Sequence, residues 1–244
     1  MRYPSRLLFA VTCAFASAAI AGSFGVAPIR LDFDRGTRST VVEITSEDEQ
    51  KLSFQAKLFE WTQGPDGKDE YVASQDLIWF PQLFTVDPHG KRIIRIGIRP
   101  GAPPDREKTY RLFIEEIAPA AAATSGAEVR VVLRFGVPIF IAPAVTQKSF
   151  AIESVEPARG KVLMRVRNNG TQSARFETVT LQRGDTVLAE AQGWYLLVGG
   201  ARTFEIPVDP AKCPSPGPLE AVASAEGVVL RQAFTASPVL CERP

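Results

Sequence analysis

EVRVVLRFGVPIFIAP, residues Glu128 to Pro143, is the stretch of sequence that decides the fold. Apolar side chains recur in it at every second position, which places them on one face of a β-strand. The opposite face carries two arginines, and a junction that contains proline follows. Two interpretations stay open: a half-buried strand of a sandwich, or an edge strand that offers its apolar row to another protein. The row consists of Val129, Val131, Leu133, Phe135 and Val137.

The rest of the chain has the composition of an all-β protein. Of its 244 residues, 19 are proline and 18 are glycine, and valine is abundant. Such a composition favours short strands joined by turns. About seven alternating segments precede Pro143, with the spacing of an immunoglobulin-like sandwich, and a second set runs from Phe150 to Thr235. We therefore predict two β-sandwich domains in tandem, residues 22–143 and 144–244.

The first 21 residues have the pattern of a cleaved secretory signal peptide. Two basic residues, Arg2 and Arg6, precede an apolar run, and a small-residue site ends at Ala21. A membrane-spanning anchor is the alternative, but the apolar run is short and rich in alanine and serine. We predict export with removal of residues 1–21, and Cys13 would leave with the peptide.

Two cysteines, Cys213 and Cys241, remain in the predicted mature chain. An even number of cysteines in an exported protein indicates a disulfide. In the chain-entropy model this bond would contribute about 3–4 kcal/mol to stability. A metal site built on two thiolates is the minor alternative, because the single histidine, His89, is far away in the sequence.

Composition and motifs argue against enzymatic and nucleic-acid-binding functions. With only His89 available, no nucleophile–histidine set of the usual kind can form. The sequence contains no G-x-S-x-G, H-E-x-x-H, phosphate-loop or dinucleotide-binding motif. Without Arg2 and Arg6 the 28 basic residues fall to 26, against 27 acidic ones, so the mature chain has no basic footprint for nucleic acid. We expect no catalytic residue, cofactor, metal or small-molecule substrate.

Four segments together resemble the periplasmic chaperones of the chaperone–usher family, the PapD-like proteins of pilus assembly. The segments are IRLDF at 29–33, DPHG at 87–90 followed by RIIRI at 92–96, YRLFIEEI at 110–117, and VVLRFGVPIF at 131–140. The resemblance covers essentially the whole first predicted domain, and VRNNG at 166–170 adds weaker support in the second. The segment YRLFIEEI is most similar to the archaic branch, which serves spore-coat-U-like subunits.

The resemblance implies a non-enzymatic periplasmic protein of two immunoglobulin-like β-sandwich domains, arranged as a boomerang. In that family the chaperone lends a strand to a pilin subunit that lacks one, and delivers the subunit to an outer-membrane usher. The lent row would be the alternating residues from Val129 to Val137, joined to the pilin by β-strand addition. Whether the free protein covers this row as a self-capping homo-oligomer stays open.

The resemblance also implies a basic anchor for the C-terminal carboxylate of the pilin, in the cleft between the domains. Arg30 matches the first-strand arginine of the better-known branch. The archaic-like segment makes Arg111 the better candidate, and Arg134 is the third. A guanidinium group suits this role because it can bind a carboxylate in a bidentate manner.

Two positions depart from the pattern of the family. The lysine that accompanies the first-strand arginine falls at Pro138. An interdomain salt bridge of the family would use Glu107, but its arginine partner falls at Ala142. The sequence therefore supports an anchor built on arginines, and does not support that bridge.

Two other functions are weighed against the chaperone. A structural pilin or adhesin would need its own N-terminal donor extension, whereas a strand is predicted within a few residues of Gly22. A carbohydrate-binding sandwich could use Trp61, Trp79 and Trp194 as a stacking surface. Because the three tryptophans are scattered over two domains, we expect packing roles for them instead.

Overall fold

The computed structural model describes residues 24–34, 36–101, 103–118 and 131–242. This part of the chain is nearly all β-structure, arranged as four sheets, with two sheets in each half. Its only helical elements are two short 3₁₀ helices, Pro210–Lys212 and Pro238–Cys241. No helix in these ranges is long and apolar enough to cross a membrane. The predicted signal peptide lies outside the described residues.

The first half of the chain folds into a sandwich of two sheets. Its strands are β1 (Phe24–Ala27), β2 (Leu31–Phe33), β3 (Ser39–Ser46), β4 (Leu52–Gln63), β5 (Asp69–Ala73), β6 (Leu77–Phe80), β7 (Leu83–Val86), β8 (Lys91–Ile98), β9 (Lys108–Glu116) and β10 (Arg134–Ile141). One sheet has the order β1-β3-β8-β6, and the other has the order β2-β10-β9-β4-β5, with β7 also paired to β4. Because successive side chains of a strand point to opposite faces, one face of each strand lies in the core. In β4 the buried side chains between the sheets are Leu52, Phe54, Ala56 and Leu58.

Two prolines mark the places where the chain changes from one sheet to the other. The sequence alone predicts one first strand at the mature start, residues 24–33, with alternation from Ile29 to Phe33. Instead β1 pairs with β3, Ile29 is exposed at the crossing, and β2 pairs with β10 in the other sheet. Pro28 lies at this crossing, where it cannot donate to a ladder. Pro81 separates β6 from β7 in the same way, as expected for a proline that excludes a central strand.

The second half of the chain forms a second sandwich. Its strands are β11 (Phe150–Ala158), β12 (Lys161–Asn168), β13 (Ala174–Arg183), β14 (Thr186–Gln192), β15 (Tyr195–Leu196), β16 (Ala201–Pro207), β17 (Pro218–Ala225) and β18 (Val228–Thr235). The sheets have the orders β11-β12-β16 and β14-β13-β17-β18, with β15 also paired to β13. The predicted disulfide is present: Cys213 is bonded to Cys241, and their Cα atoms are 5.4 Å apart.

The two sandwiches meet at a buried aromatic junction. Trp61 and Phe140 from the first sandwich pack with Tyr195 and Leu197 from the second. Gln63, at the end of β4, connects the halves through both ends of its amide. Its Nε2 donates to the Tyr195 carbonyl at 2.8 Å, and its Oε1 accepts from the Leu197 N–H at 3.0 Å. The joint is therefore packed and hydrogen-bonded.

Glu107 joins the sandwiches by a backbone contact. Its carboxylate is buried and accepts a hydrogen bond from the Ser173 N–H at 2.9 Å, and its own N–H donates to the Thr171 carbonyl at 2.9 Å. Burial raises the pKa of the Glu107 carboxyl, and the bond from Ser173 opposes that rise. Among the residues that the structure describes, Glu107 forms no arginine salt bridge.

Candidate functional site

The first half of β10 is a free sheet edge. The strand pairs with β9 over its full length but with β2 only from Ile139 to Ile141. Residues 134–138 therefore have no second neighbouring strand within the described part of the chain. The Glu116 N–H donates to the Leu133 carbonyl at 3.0 Å. Every second residue of the strand, counted from Leu133, therefore directs its backbone groups towards β9. The backbone groups of Arg134 and Gly136 consequently point away from β9, towards any strand added there.

The apolar row is exposed in its first part and buried in its last. Val131, Leu133 and Phe135 are 49%, 37% and 37% exposed, whereas Val137 is fully buried in the first sandwich. Val137 lies opposite Leu112 in the middle of β9, and the regular strand starts only at Arg134 because β9 ends at Glu116. The exposed row thus comprises Val131, Leu133 and Phe135. Val129 lies outside the described residues.

A cleft of about 670 Å³ opens between the two sandwiches beside the exposed row. The first sandwich contributes Arg30, Arg111 and Phe135 to its lining, and the second contributes Arg175 and Trp194. The cleft therefore combines four cationic and three acidic side chains with aromatic surface. It lies directly beside the free edge of β10, because Gly136 and Pro138 also line it.

Arg111 has the properties of an anion receptor. Its Nε and Nη1 atoms are buried and have no hydrogen-bond partner among the described residues. Its guanidinium carbon lies 4.7 Å from the centre of the Trp61 ring and 5.8 Å from that of Trp194. Gly136 makes room for it, since a Cβ atom there would lie 2.9 Å from Nε. Buried donors without an acceptor are costly, so a bound carboxylate would stabilise this site.

Arg30 lines the same cleft, but its donors are already engaged. Nε and Nη2 bind the carboxylate of Asp32 in a bidentate pair, with distances of 2.8 and 2.7 Å. The hydrogen bond to Asp32 raises the pKa of Arg30. Its guanidinium carbon also lies 4.2 Å above the Phe140 ring. Arg30 would have to exchange Asp32 for another carboxylate, whereas Arg111 would not.

The structure brings Arg30 and Arg111 together but leaves the third candidate outside the cleft lining. Arg134 forms an ion pair with Glu115 at 2.8 Å, and its guanidinium carbon lies 3.7 Å above the Phe113 ring. Its role as an anchor therefore stays a prediction. Arg175 lines the cleft and was missed by sequence reasoning, because it is distant from Arg111 in the chain and belongs to no motif.

The tryptophans do not form an open stacking surface. Trp61 is fully buried, and the indole of Trp79 donates to the Ala56 carbonyl at 3.0 Å, away from the cleft. Only Trp194 lines the cleft. This arrangement does not favour the carbohydrate-binding alternative. Within the described ranges, no group of three or more metal-binding side chains occurs.

The chain matches known proteins in two sequence comparisons. Residues 23–147 match the family model for the pili and flagellar-assembly chaperone, PapD N-terminal domain. The chaperone protein FanE of Escherichia coli is 32% identical over 115 residues. That alignment covers 47% of this chain and 47% of FanE, so the chain matches about half the length of this curated relative.

Solved structures confirm the predicted fold of two immunoglobulin-like sandwiches in tandem. One similar chain comes from the CsuC–CsuE chaperone–tip adhesion subunit pre-assembly complex of archaic chaperone-usher Csu pili of Acinetobacter baumannii. It is 20% identical, with a TM-score of 0.62, and the match covers 87% of this chain and 97% of that one. The class 5 fimbriae chaperone CfaA is 17% identical, with a TM-score of 0.55 and coverage of 88% and 100%. At these identities the likeness shows the fold, and the archaic branch stays a prediction.

Proposed function

The chain belongs to the pili and flagellar-assembly chaperone family, and from this premise we propose that it is a periplasmic chaperone for pilin subunits. It would lend a β-strand to a subunit and deliver that subunit to an outer-membrane usher. The observation that carries the proposal is the free edge of β10, with an exposed apolar row beside a cleft that contains Arg111, whose buried donors have no partner among the described residues. The chemistry needed is binding alone, without a cofactor.

Strand addition at β10 would supply the affinity. The outward backbone groups of Arg134 and Gly136 would pair with a strand of the subunit, and the exposed row would fill a groove in it. Each side chain of the row is already more than half buried. Burying the remainder would therefore contribute about 1 kcal/mol per residue, less than the full transfer of an apolar side chain. A later strand with more apolar surface could displace the chaperone without a nucleotide.

Arg111 would fix the register of the added strand relative to β10. Arg111 lies directly across the ladder from Pro138. A subunit carboxylate bound there would set the end of the added strand relative to β10. Register matters because a slip of one residue would turn the subunit's side chains to the opposite face. The anchor and the free edge thus act on the same strand.

The proposal is tested by co-expressing the full chain with candidate pilins from the same genetic locus and purifying complexes from the periplasm. Leu133→Glu places a charge in the exposed row, and Arg111→Ala removes the unpaired cation. We expect wild type to yield a soluble one-to-one complex with a subunit. We expect each variant to lose most of it, because a buried charge or a lost charged hydrogen bond costs about 2 kcal/mol or more.

Leu83→Glu is the matched control. Leu83 is also an exposed leucine, but it lies on β7, which β4 and β9 separate from β10. This variant should retain the complex. Absence of a complex with any subunit, or equal capture by Leu133→Glu and Leu83→Glu, would contradict the proposal.

A further inference from the structure

Among the residues that the structure describes, Arg111 contacts aromatic rings and no carboxylate. Its guanidinium carbon lies within 6 Å of the ring centres of Trp61, from the first sandwich, and Trp194, from the second. Both distances fall in the range of cation–π attraction. Arg30, in the same cleft, is held by the carboxylate of Asp32 as well as by the Phe140 ring. The two arginines therefore represent two ways of fixing a cation.

We infer that Trp61 and Trp194 are positioning residues, one from each sandwich, that hold the Arg111 guanidinium ready for the carboxylate of a subunit. The inference rests on the proposed function and adds the residues that make its anchor effective. A ring face attracts a cation without accepting its in-plane N–H groups. A carboxylate neighbour would occupy those same groups. The two rings of Trp61 and Trp194, called the aromatic platform below, thus fix the Arg111 side chain. Its Nε and Nη1 atoms remain unbonded to any described residue.

The platform is assembled across the domain junction. The Trp194 indole N–H donates to Oδ2 of Asp69, in the first sandwich, at 2.9 Å. Tyr195 packs edge-on against Trp61, with ring centres 5.1 Å apart. The Trp194 ring therefore reaches Arg111 through contacts that exist only while the sandwiches are docked. Carboxylate binding at Arg111 consequently depends on the joint between the domains.

The platform also compensates for a missing cation. Pro138 stands opposite Arg111 in the ladder and contributes no charge. A carboxylate bound at this point of the ladder then meets the Arg111 guanidinium and no second charge from position 138. A side chain with several rotatable bonds loses conformational entropy when it becomes ordered. The two rings and the gap at Gly136 restrict Arg111 before a ligand arrives, which reduces that cost on binding.

The test compares the affinity of the chaperone for one captured subunit in two forms, with its natural C-terminal carboxylate and with a C-terminal amide. Wild type should prefer the carboxylate form by about 10-fold or more, the effect of a charged hydrogen bond. Trp194→Leu removes the ring face and should reduce that preference by about 3- to 10-fold. Trp194→Phe restores a ring and should keep most of the preference.

Trp79→Leu is the matched control, because it also removes an indole but leaves the Arg111 environment intact. It should lower stability without changing the ratio of the two affinities. If Trp194→Leu does not fold, Trp194→Gln replaces it, since it keeps an N–H donor and lacks a π face. An unchanged carboxylate preference in a folded Trp194 variant without a ring would overturn the inference.

The outcomes separate this inference from the proposed function. If wild type captures no subunit, both fail. If wild type captures a subunit and prefers its carboxylate form, but Trp194→Leu shows the same preference, only the platform fails. Binding should also change tryptophan emission in wild type for the carboxylate form and not for the amide form. Loss of that change in Trp194→Leu would support the platform independently.

Discussion

At the scale of single residues, Glu107 shows how burial alters the chemistry of a carboxyl group. Its side chain is buried at the domain junction, where the Ser173 N–H is its hydrogen-bond donor. Burial is the largest effect on its pKa, which is raised above the ordinary glutamate value. The folded protein therefore binds the proton of Glu107 more tightly than the unfolded chain does.

This shift predicts a pH dependence of stability. Below the unfolded pKa, near 4.3, both states are protonated and the group has no effect. Between the unfolded and the folded pKa the unfolded chain ionises while the folded protein keeps the proton, so wild type loses stability over this interval, and the loss is complete above the folded pKa. Glu107→Gln cannot ionise and keeps an oxygen to accept from Ser173. Its Tm relative to wild type should increase as the pH is raised from 4 to 7, as measured by thermal unfolding.

One control variant accompanies this prediction. Glu205→Gln changes an exposed glutamate whose partner, Lys161, lies at 2.8 Å on the surface. Loss of that surface pair should not favour the variant as the pH rises. A Tm difference between Glu107→Gln and wild type that stays constant from pH 4 to 7 would contradict the assigned cause.

At the scale of elements, β10 combines a core strand and a recognition edge in eight residues. Its second half lies between β9 and β2, and its first half has β9 alone. Phe135 and Val137 share one face of the strand, yet only Val137 is buried. Burial begins at Val137, two residues before the pairing with β2 starts at Ile139, although β9 lies beside both residues. Burial along this strand is therefore a property of the sheet and not of the alternating pattern.

The free edge predicts a distinct pattern of hydrogen exchange. In the free protein the amides of Arg134 and Gly136 should exchange quickly, whereas those of Phe135 and Val137, bonded to β9, should be protected. A bound subunit should slow the first pair by about tenfold for each 1.4 kcal/mol of binding free energy and change the second pair little. Exchange followed by NMR measures this difference. Equal protection of all four amides in the free protein would contradict a free edge.

At the scale of the whole molecule, the hairpin between β4 and β5 holds the two sandwiches together. Gly67, in its turn, has a φ of 78° and accepts a hydrogen bond on its carbonyl from Arg202 Nη1 at 2.8 Å. A Cβ atom at this position would lie 2.8 Å from the Ala201 carbonyl oxygen. The turn therefore needs glycine for its backbone conformation and for the close approach of the second sandwich.

We predict that Gly67→Ala loosens the joint. Both Gly67→Ala and the control Gly184→Ala carry the cost of a left-handed backbone, about 1–2 kcal/mol. Gly184 has a φ of 56° and no atom within 4 Å of a built Cβ, so it isolates that cost. The Gly67 variant should lose more unfolding free energy and should also bind subunits more weakly, because it disturbs the junction that carries Trp194. Equal Tm values and equal subunit capture for the two variants would refute this role.

Much of the architecture was predictable from the sequence, because its signals are local. Alternation at period two identified the strands, and the proline-containing junction marked the second set of strands. The pair Cys213 and Cys241 followed from an even count in an exported chain. Arg30 and Arg111 were candidates from the segments that contain them, and the structure places both in one cleft. The strands, the junction and the disulfide need only neighbouring residues or the residue count, whereas the two arginines were inferred from the family resemblance of their segments.

Only the tertiary structure decided which of these residues are accessible to a partner protein. It placed Val137 in the core cluster of the first sandwich and left Leu133 exposed. It paired Arg30 with Asp32 and left donors of Arg111 without a described acceptor. It also brought Trp194 beside Arg111 from the other sandwich. Electrostatic environment and solvent access depend on atoms close in space, and the periodicity of a chain does not record which distant segments those atoms come from.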